Sequence, residues 1–163
     1  RDCLLSRGLG DVYKRQEQIY MPDSTFEIGK ANTLREGNDA TIVASGICVS
    51  DACRVADKLA DEGIHVRVLD MFTIKPIDKD AIIKASKETG AIVTVENHNI
   101  LNGLGSAVAE VLSEEAPCRM KRLGVPDRFG EVGTIPFLKE KYYMTEKDIE
   151  EAVKSLISKR DVA

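Results

Sequence analysis

Two short runs of almost unbroken apolar residues, Ala40-Thr41-Ile42-Val43-Ala44-Ser45 and Ala91-Ile92-Val93-Thr94-Val95, constrain this chain more than anything else in it. A strand that is apolar on both faces must be covered on both faces. That is the condition of a mostly parallel sheet lying between two layers of helices. The segments between such runs carry helical spacing. After Gly46, Ser50 is the expected N-cap, Asp51 sits in the first turn, and Ala52, Cys53, Ala56, Leu59 and Ala60 share a face as far as the stop at Gly63. Residues 65–71 read as a strand. Lys75-Pro76 is a turn, and Asp78 caps a helix through Ala81, Ile82 and Ala85 that stops at Gly90.

The same alternation continues beyond the second run. Residues 96–102 read as a polar loop, 106–114 as a helix with Ala107, Val108, Val111 and Leu112 inward, and 119–125 as a further strand. Residues 126–144 look irregular, with Pro126, Gly130, Gly133 and Pro136. Thr145 and Asp148 form a capping arrangement for a last helix burying Ile149, Ala152, Val153, Leu156 and Ile157. Before the first run, residues 26–35 read as extended, with an irregularity at Gly29. The pattern predicts about five strands and four helices in one three-layer α/β/α domain with right-handed crossovers.

At 163 residues and a net charge of −4, the chain has the length for one cored domain and a balance that argues against nucleic acid as its partner. It contains no apolar run long enough to predict a membrane span. Its four cysteines form no zinc-type double pair, which implies a reducing compartment and a cytoplasmic location. Cys48, Cys53 and Cys118 read as small, buried side chains. Residues 1–16 (RDCLLSRGLGDVYKRQ) lack periodicity, an initiator Met and a signal-peptide core. They resemble translated adapter sequence, so the expectation is a non-native leader over 1–16 and a domain over 17–163.

Residues 95–107 hold the strongest candidate for chemistry. Glu96, His98, Gly103 and Gly105 lie just past the carboxyl end of a predicted strand and lead into a helix, where open α/β sheets bind ligands. Glu96 and His98 are two apart, so an extended backbone puts them on one face, where the carboxylate could fix the imidazole tautomer. Gly103 and Gly105 allow close backbone approach, and the helix start favours an anion. The dinucleotide pattern G-x-G-x-x-G is incomplete, because position 108 is Val. A structural or interface role is therefore the stronger reading of the four residues. His65, the other histidine, reads as a strand-edge residue. No G-x-S-x-G elbow, Walker lysine or compact Cys/His cluster occurs, and Asp70 lacks the acidic companion that a phosphate-accepting receiver needs. No catalytic, cofactor-binding or metal-binding residue is predicted.

Four strings in order carry a family resemblance. Phe26-Glu27-Ile28-Gly29-Lys30-Ala31 with Leu34-Arg35-Glu36-Gly37 and residues 40–46 resemble the opening of a transketolase C-terminal domain. Val68-Leu69-Asp70-Met71-Phe72-Thr73-Ile74-Lys75-Pro76-Ile77-Asp78 is similar to that family's V-D-M-x-T-I-K-P-x-D segment. Glu96-Asn97-His98 with 102–112 resembles E-x-H…G-G-x-G-S-A-V-A-E-x-L, and 124–133 resembles G-V-x-D-x-F-G-E-S-G. His98 and the Asp127-Arg128-Phe129-Gly130-Glu131 string favour transketolase over 1-deoxyxylulose-5-phosphate synthase and the beta chains of 2-oxo-acid dehydrogenases.

The resemblance implies a five-stranded sheet with one antiparallel strand. It implies a place in an enzyme that transfers two-carbon ketol units between sugar phosphates. Thiamine diphosphate and magnesium would be held by the companion pyrimidine- and diphosphate-binding domains and not by this one. This domain would serve assembly, in a homodimer or heterotetramer, and would be inactive alone. Glu96, His98, Gly103 and Gly105 would then lie at an interface or near the site. A stand-alone flavodoxin-like binding module is the competing reading. The chain departs from the family pattern at Asn102, in place of a glycine, at Val132, in place of a serine, and at Tyr142-Tyr143-Met144, in place of Tyr-Gly-Leu.

Overall fold

The computed structural model describes residues 17–158. The expected leader over 1–16, with Cys3, lies outside the described residues. The elements run β1 (Asn32–Arg35), β2 (Ala40–Ala44), α1 (Cys48–Asp61), β3 (Val66–Asp70), α2 (Lys79–Thr89), β4 (Ala91–Asn99), α3 (Leu104–Glu115), β5 (Arg119–Val125), α4 (Ile135–Lys141) and α5 (Glu146–Ser158). The sheet has the order β1-β3-β2-β4-β5, with β1 antiparallel to β3 and every other pairing parallel. This is the five-stranded, mostly parallel α/β/α arrangement that the resemblance implied.

Period-two alternation along the strands sorts the core into two layers. Ala40, Ile42, Ala44, Val66, Val68, Ala91, Val93 and Val95 pack with α1 and α5 on one face. Val43, Leu69 and Ile92 pack with Ile82 and Ala85 of α2 and with Leu104, Val108, Val111 and Leu112 of α3 on the other. The apolar runs are buried from Ala40 to Ala44 and from Ala91 to Val95 because each strand feeds both layers.

The structure corrects four boundaries. Helix α1 begins at Cys48, so Ser50 is not its cap. Gly46, at φ +58, turns the chain sharply enough for the amides of Cys48 and Val49 to reach Ser45 and Gly46 carbonyls, and the Ser50 hydroxyl bonds back to the Ile47 carbonyl at 3.3 Å. The extended stretch 26–35 shortens to Asn32–Arg35, because a turn over 27–30 with Gly29 at φ +83 breaks it. Strand β4 continues through residues 96–99, which had read as loop. The irregular stretch contains α4, with Pro136 in its first turn, where a missing amide costs nothing.

Other local readings agree with the structure. Asp78 accepts from the Ala81 amide at 3.0 Å, Gly90 ends α2 in the left-handed region at φ +65, and Thr145 and Asp148 bond reciprocally at the start of α5. Cys48 and Cys53 are buried, and the half-buried Cys118 thiol faces the Arg119 carbonyl. Among the described residues, no helix is long and apolar enough to cross a membrane.

Candidate functional site

The carboxyl ends of β2, β3, β4 and β5 share one edge of the sheet. At this edge β4 pairs with β5 in regular register up to Val95↔Leu123, and then shifts to Asn99↔Val125. The irregularity re-aims the side chains of 96–98. Glu96 turns inward and is 2% exposed, while Asn97 and His98 face solvent.

The Glu96 carboxylate lies at the start of α3. Its Oε2 accepts from the Leu104 amide at 2.7 Å and its Oε1 from the Gly105 amide at 2.9 Å. Both oxygens are therefore spent on amides the helix cannot satisfy itself, at the positive end of its dipole. This explains both glycines. A Cβ on Gly103 would run into the Glu96 carboxylate, and one on Gly105 would lie 2.8 Å from Thr94 Oγ1 and 2.9 Å from Arg122 Cδ. Neither glycine has positive φ; close approach is the requirement. Asn102 does occupy the left-handed region, at φ +61, which asparagine tolerates better than most side chains.

The rest of the turn is cross-braced. The Asn102 amide donates to Ser106 Oγ at 2.9 Å, and Arg122 Nη1 donates to the Ile100 carbonyl at 3.1 Å and to Ser106 Oγ at 3.3 Å. Asn99 accepts from the Leu101 amide at 2.8 Å and donates to Asp127 at 3.2 Å, tying this turn to the loop after β5.

His98 does not meet Glu96. Its Nδ1 contacts the Asn99 carbonyl at 3.1 Å and its ring is exposed, because the register shift places the two side chains on different sides of the backbone. The expected carboxylate–imidazole couple is therefore absent. The structure gathers Glu96, Gly103 and Gly105 around one helix start and leaves His98 outside. The place an anion would take at that helix is filled by the chain's own carboxylate.

Other ionisable groups are also committed. Asp51, buried in α1, is ion-paired with Arg54 and Lys139 and lines a cleft of about 380 Å³ against α4 and the start of α5. Burial, with the nearby Asp51 charge adding to it, pushes the Cys48 thiol up to about 12, so it is no nucleophile at neutral pH. Burial also raises Cys53 and Cys118. Among the described residues, no group of three or more His, Cys, Asp or Glu side chains is placed to hold a metal ion.

What sequence reasoning missed lies beside this turn. The segment after β5 carries Phe129, 98% exposed, and Val132, fully exposed, followed by the half-exposed Ile135 and Phe137 of α4, of which Ile135 lines the cleft beside Asp51. The signal was present: apolar residues at 129, 132, 135 and 137 in a stretch with neither strand nor helix phase to bury them.

The family model "Transketolase, C-terminal domain" matches residues 29–149. A 6-deoxy-6-sulfo-D-fructose transketolase subunit from Clostridium sp. (strain MSTE9) is 46% identical over 144 residues, which is 88% of this chain and 45% of that protein. An apulose-4-phosphate transketolase subunit from Phocaeicola vulgatus is 47% identical over 72% of this chain and 35% of its own length. A 1-deoxy-D-xylulose-5-phosphate synthase from Heliobacterium modesticaldum is 41% identical over 92% of this chain and 23% of its own length. A solved structure described as a split gene transketolase, inactive beta4 tetramer, superposes with a TM-score of 0.83 at 46% identity, covering 87% of this chain and 46% of that one. The chain thus spans less than half the length of these relatives.

Proposed function

The chain belongs to the transketolase C-terminal domain family, and we propose that it works as the C-terminal part of a thiamine diphosphate-dependent transketolase, moving a two-carbon ketol unit between sugar phosphates. The observation that carries this reading is its 46% identity, over 88% of its length, to a transketolase subunit about twice as long. In this reading the chain serves assembly, in a homodimer or a heterotetramer, and works in the cytoplasm. The bared side chains of Phe129 and Val132, with the half-exposed Ile135 and Phe137 next in the chain, support that role, since exposed apolar residues of this kind are the usual material of protein contacts. Glu96, Gly103 and Gly105 hold the turn beside them in shape, and His98 lies at the rim.

The described residues do not fit the cofactor. The helix start that suits a diphosphate is taken by Glu96, and the acidic side chains form no metal-holding group. Thiamine diphosphate and magnesium therefore belong, in this reading, to companion pyrimidine- and diphosphate-binding domains, and no step of the reaction is assigned to this chain's residues.

The chain alone, given a ketose donor, an aldose acceptor, thiamine diphosphate and magnesium, is expected to show no turnover; measurable turnover overturns the division of labour. The identity to a 1-deoxy-D-xylulose-5-phosphate synthase favours a second reading within the same family. Reconstitution with companion domains separates the two: activity with a ketose phosphate donor supports transketolase, and activity only with a 2-oxo-acid donor supports the synthase or dehydrogenase reading.

A further inference from the structure

The string Asp70-Met71-Phe72-Thr73-Ile74-Lys75-Pro76-Ile77-Asp78 has no part in the function proposed above, yet most of its side chains engage one segment. Asp70 Oδ2 accepts from the Tyr20 hydroxyl at 2.5 Å. Phe72 meets Phe26 edge-on at 5.2 Å between ring centroids, and Phe26 in turn meets Tyr20 at 4.7 Å. Thr73 Oγ1 accepts from the Gly29 amide at 3.0 Å, and Asp78 Oδ2 from the Ala31 amide at 2.9 Å. The Pro76 ring presses on Gly29 so closely that a Cβ there would lie 3.0 Å from it.

These contacts share a property that sets the segment apart from the sheet it lies against. Residues 20–31 have backbone bonds of their own, Ser24 to Met21 and Lys30 to Glu27, both at 3.0 Å. Among the described residues, none of the backbone–backbone bonds joins 20–31 to the rest of the chain; that ladder begins at β1 with Asn32. The outward side is open, with Met21 and Ile28 more than two-thirds exposed. A segment with few buried apolar contacts, tied by side chains, opens more readily than the ladder beneath it.

We propose that residues 20–31 form a strap that docks into the 70–78 turn and detaches as a unit while the five-stranded sheet stays folded. Phe72 and Thr73 are its receptor. Detachment would uncover Phe72, Thr73 and the Asp70 carboxylate at the sheet edge. This device stands independently of which reaction the family member performs.

Native-state hydrogen exchange of the full 163-residue chain, read by mass spectrometry in rising urea, tests it. Peptides from 20–31 should be protected in the parent, yet exchange at least about ten-fold faster than those from β2 and β4, at a rate that rises with urea below the global transition with a common slope smaller than that of the sheet. Thr73→Val should speed exchange at Gly29 roughly five-fold, as expected for one lost hydrogen bond, and Thr73→Ser should restore it. Phe72→Ala should speed the whole strap without altering β4; should that variant not fold, the Thr73 pair decides. Exchange of the strap in step with the sheet, or no protection of it in the parent, overturns the proposal.

Discussion

Two neighbouring loops at the same end of the sheet use opposite materials. The end of β4 and the turn into α3 hold the residue types usually associated with chemistry: a glutamate, a histidine, asparagines and a Gly-x-Gly. The loop from β5 to α4 holds phenylalanine, valine and isoleucine. In the folded protein the first is saturated and the second is unspent. Glu96 gives both oxygens to the backbone of α3, whereas Phe129 and Val132 touch almost nothing. A reactive residue type at a strand end is therefore not in itself a site. What counts is whether its bonding capacity remains after the fold has taken its share.

The largest expected effect that would break this comparison is at Glu96. Glu96→Ala strips two buried amides of their acceptor and leaves a void, and should cost about 3 kcal/mol, read as a lower urea midpoint at unchanged slope. A loss under about 1 kcal/mol would mean the carboxylate is held there for another purpose. Gly103→Ala should cost about 2 kcal/mol by pushing the carboxylate off the helix. Because both changes act on one contact, the double variant should cost less than the two losses summed, and strict additivity would deny the link.

Tyr143 sharpens the comparison from the far end of α4. It sits at φ +57, in the left-handed region, where the family pattern has glycine, and is mostly exposed. Tyr143→Gly should stabilise the fold by about 0.5–1 kcal/mol, measured by thermal melting. In the apolar loop, Phe129→Ser with Val132→Ser should change stability by no more than about 0.5 kcal/mol while weakening self-association or companion binding, seen by sedimentation. A large stability loss would show that these side chains have intramolecular partners after all.

The smallest effect concerns another carboxylate at this end of the sheet. Asp70 is buried with one phenol donor, and burial raises its pKa despite the opposing Tyr20 bond. The native state then holds an extra proton in the window just above the ordinary carboxylate range, so stability falls as pH rises through that window. Asp70→Asn should flatten this slope in urea titrations at successive pH values.

The fold was largely legible because strand burial on both faces leaves a strong pattern, and because Asp78, Gly90 and Thr145 are local signals read by local geometry. The readings at Ser50 and residues 96–99 failed for a common reason. Each depended on where a turn ends, which Gly46 decides for α1 through its left-handed backbone and the β4–β5 register shift decides for residues 96–99 through pairing remote in sequence. Glu96 and the two glycines were singled out, but their joint purpose was not, since the carboxylate reaches amides eight and nine residues ahead. The pairing with His98 assumed unbroken strand alternation. The apolar loop escaped notice because irregular stretches are read by what they lack.

The two oxygens of Asp78 serve segments far apart in the chain, one starting α2 at Ala81 and the other holding Ala31 just before β1. β1 itself pairs with β3 alone. Within this domain β1 thus has no berth until its partner strand, about forty residues further on, has been made, about two to eight seconds at ordinary elongation rates. During that interval β1 waits unpaired, and the antiparallel edge of the sheet closes only once β3 is complete.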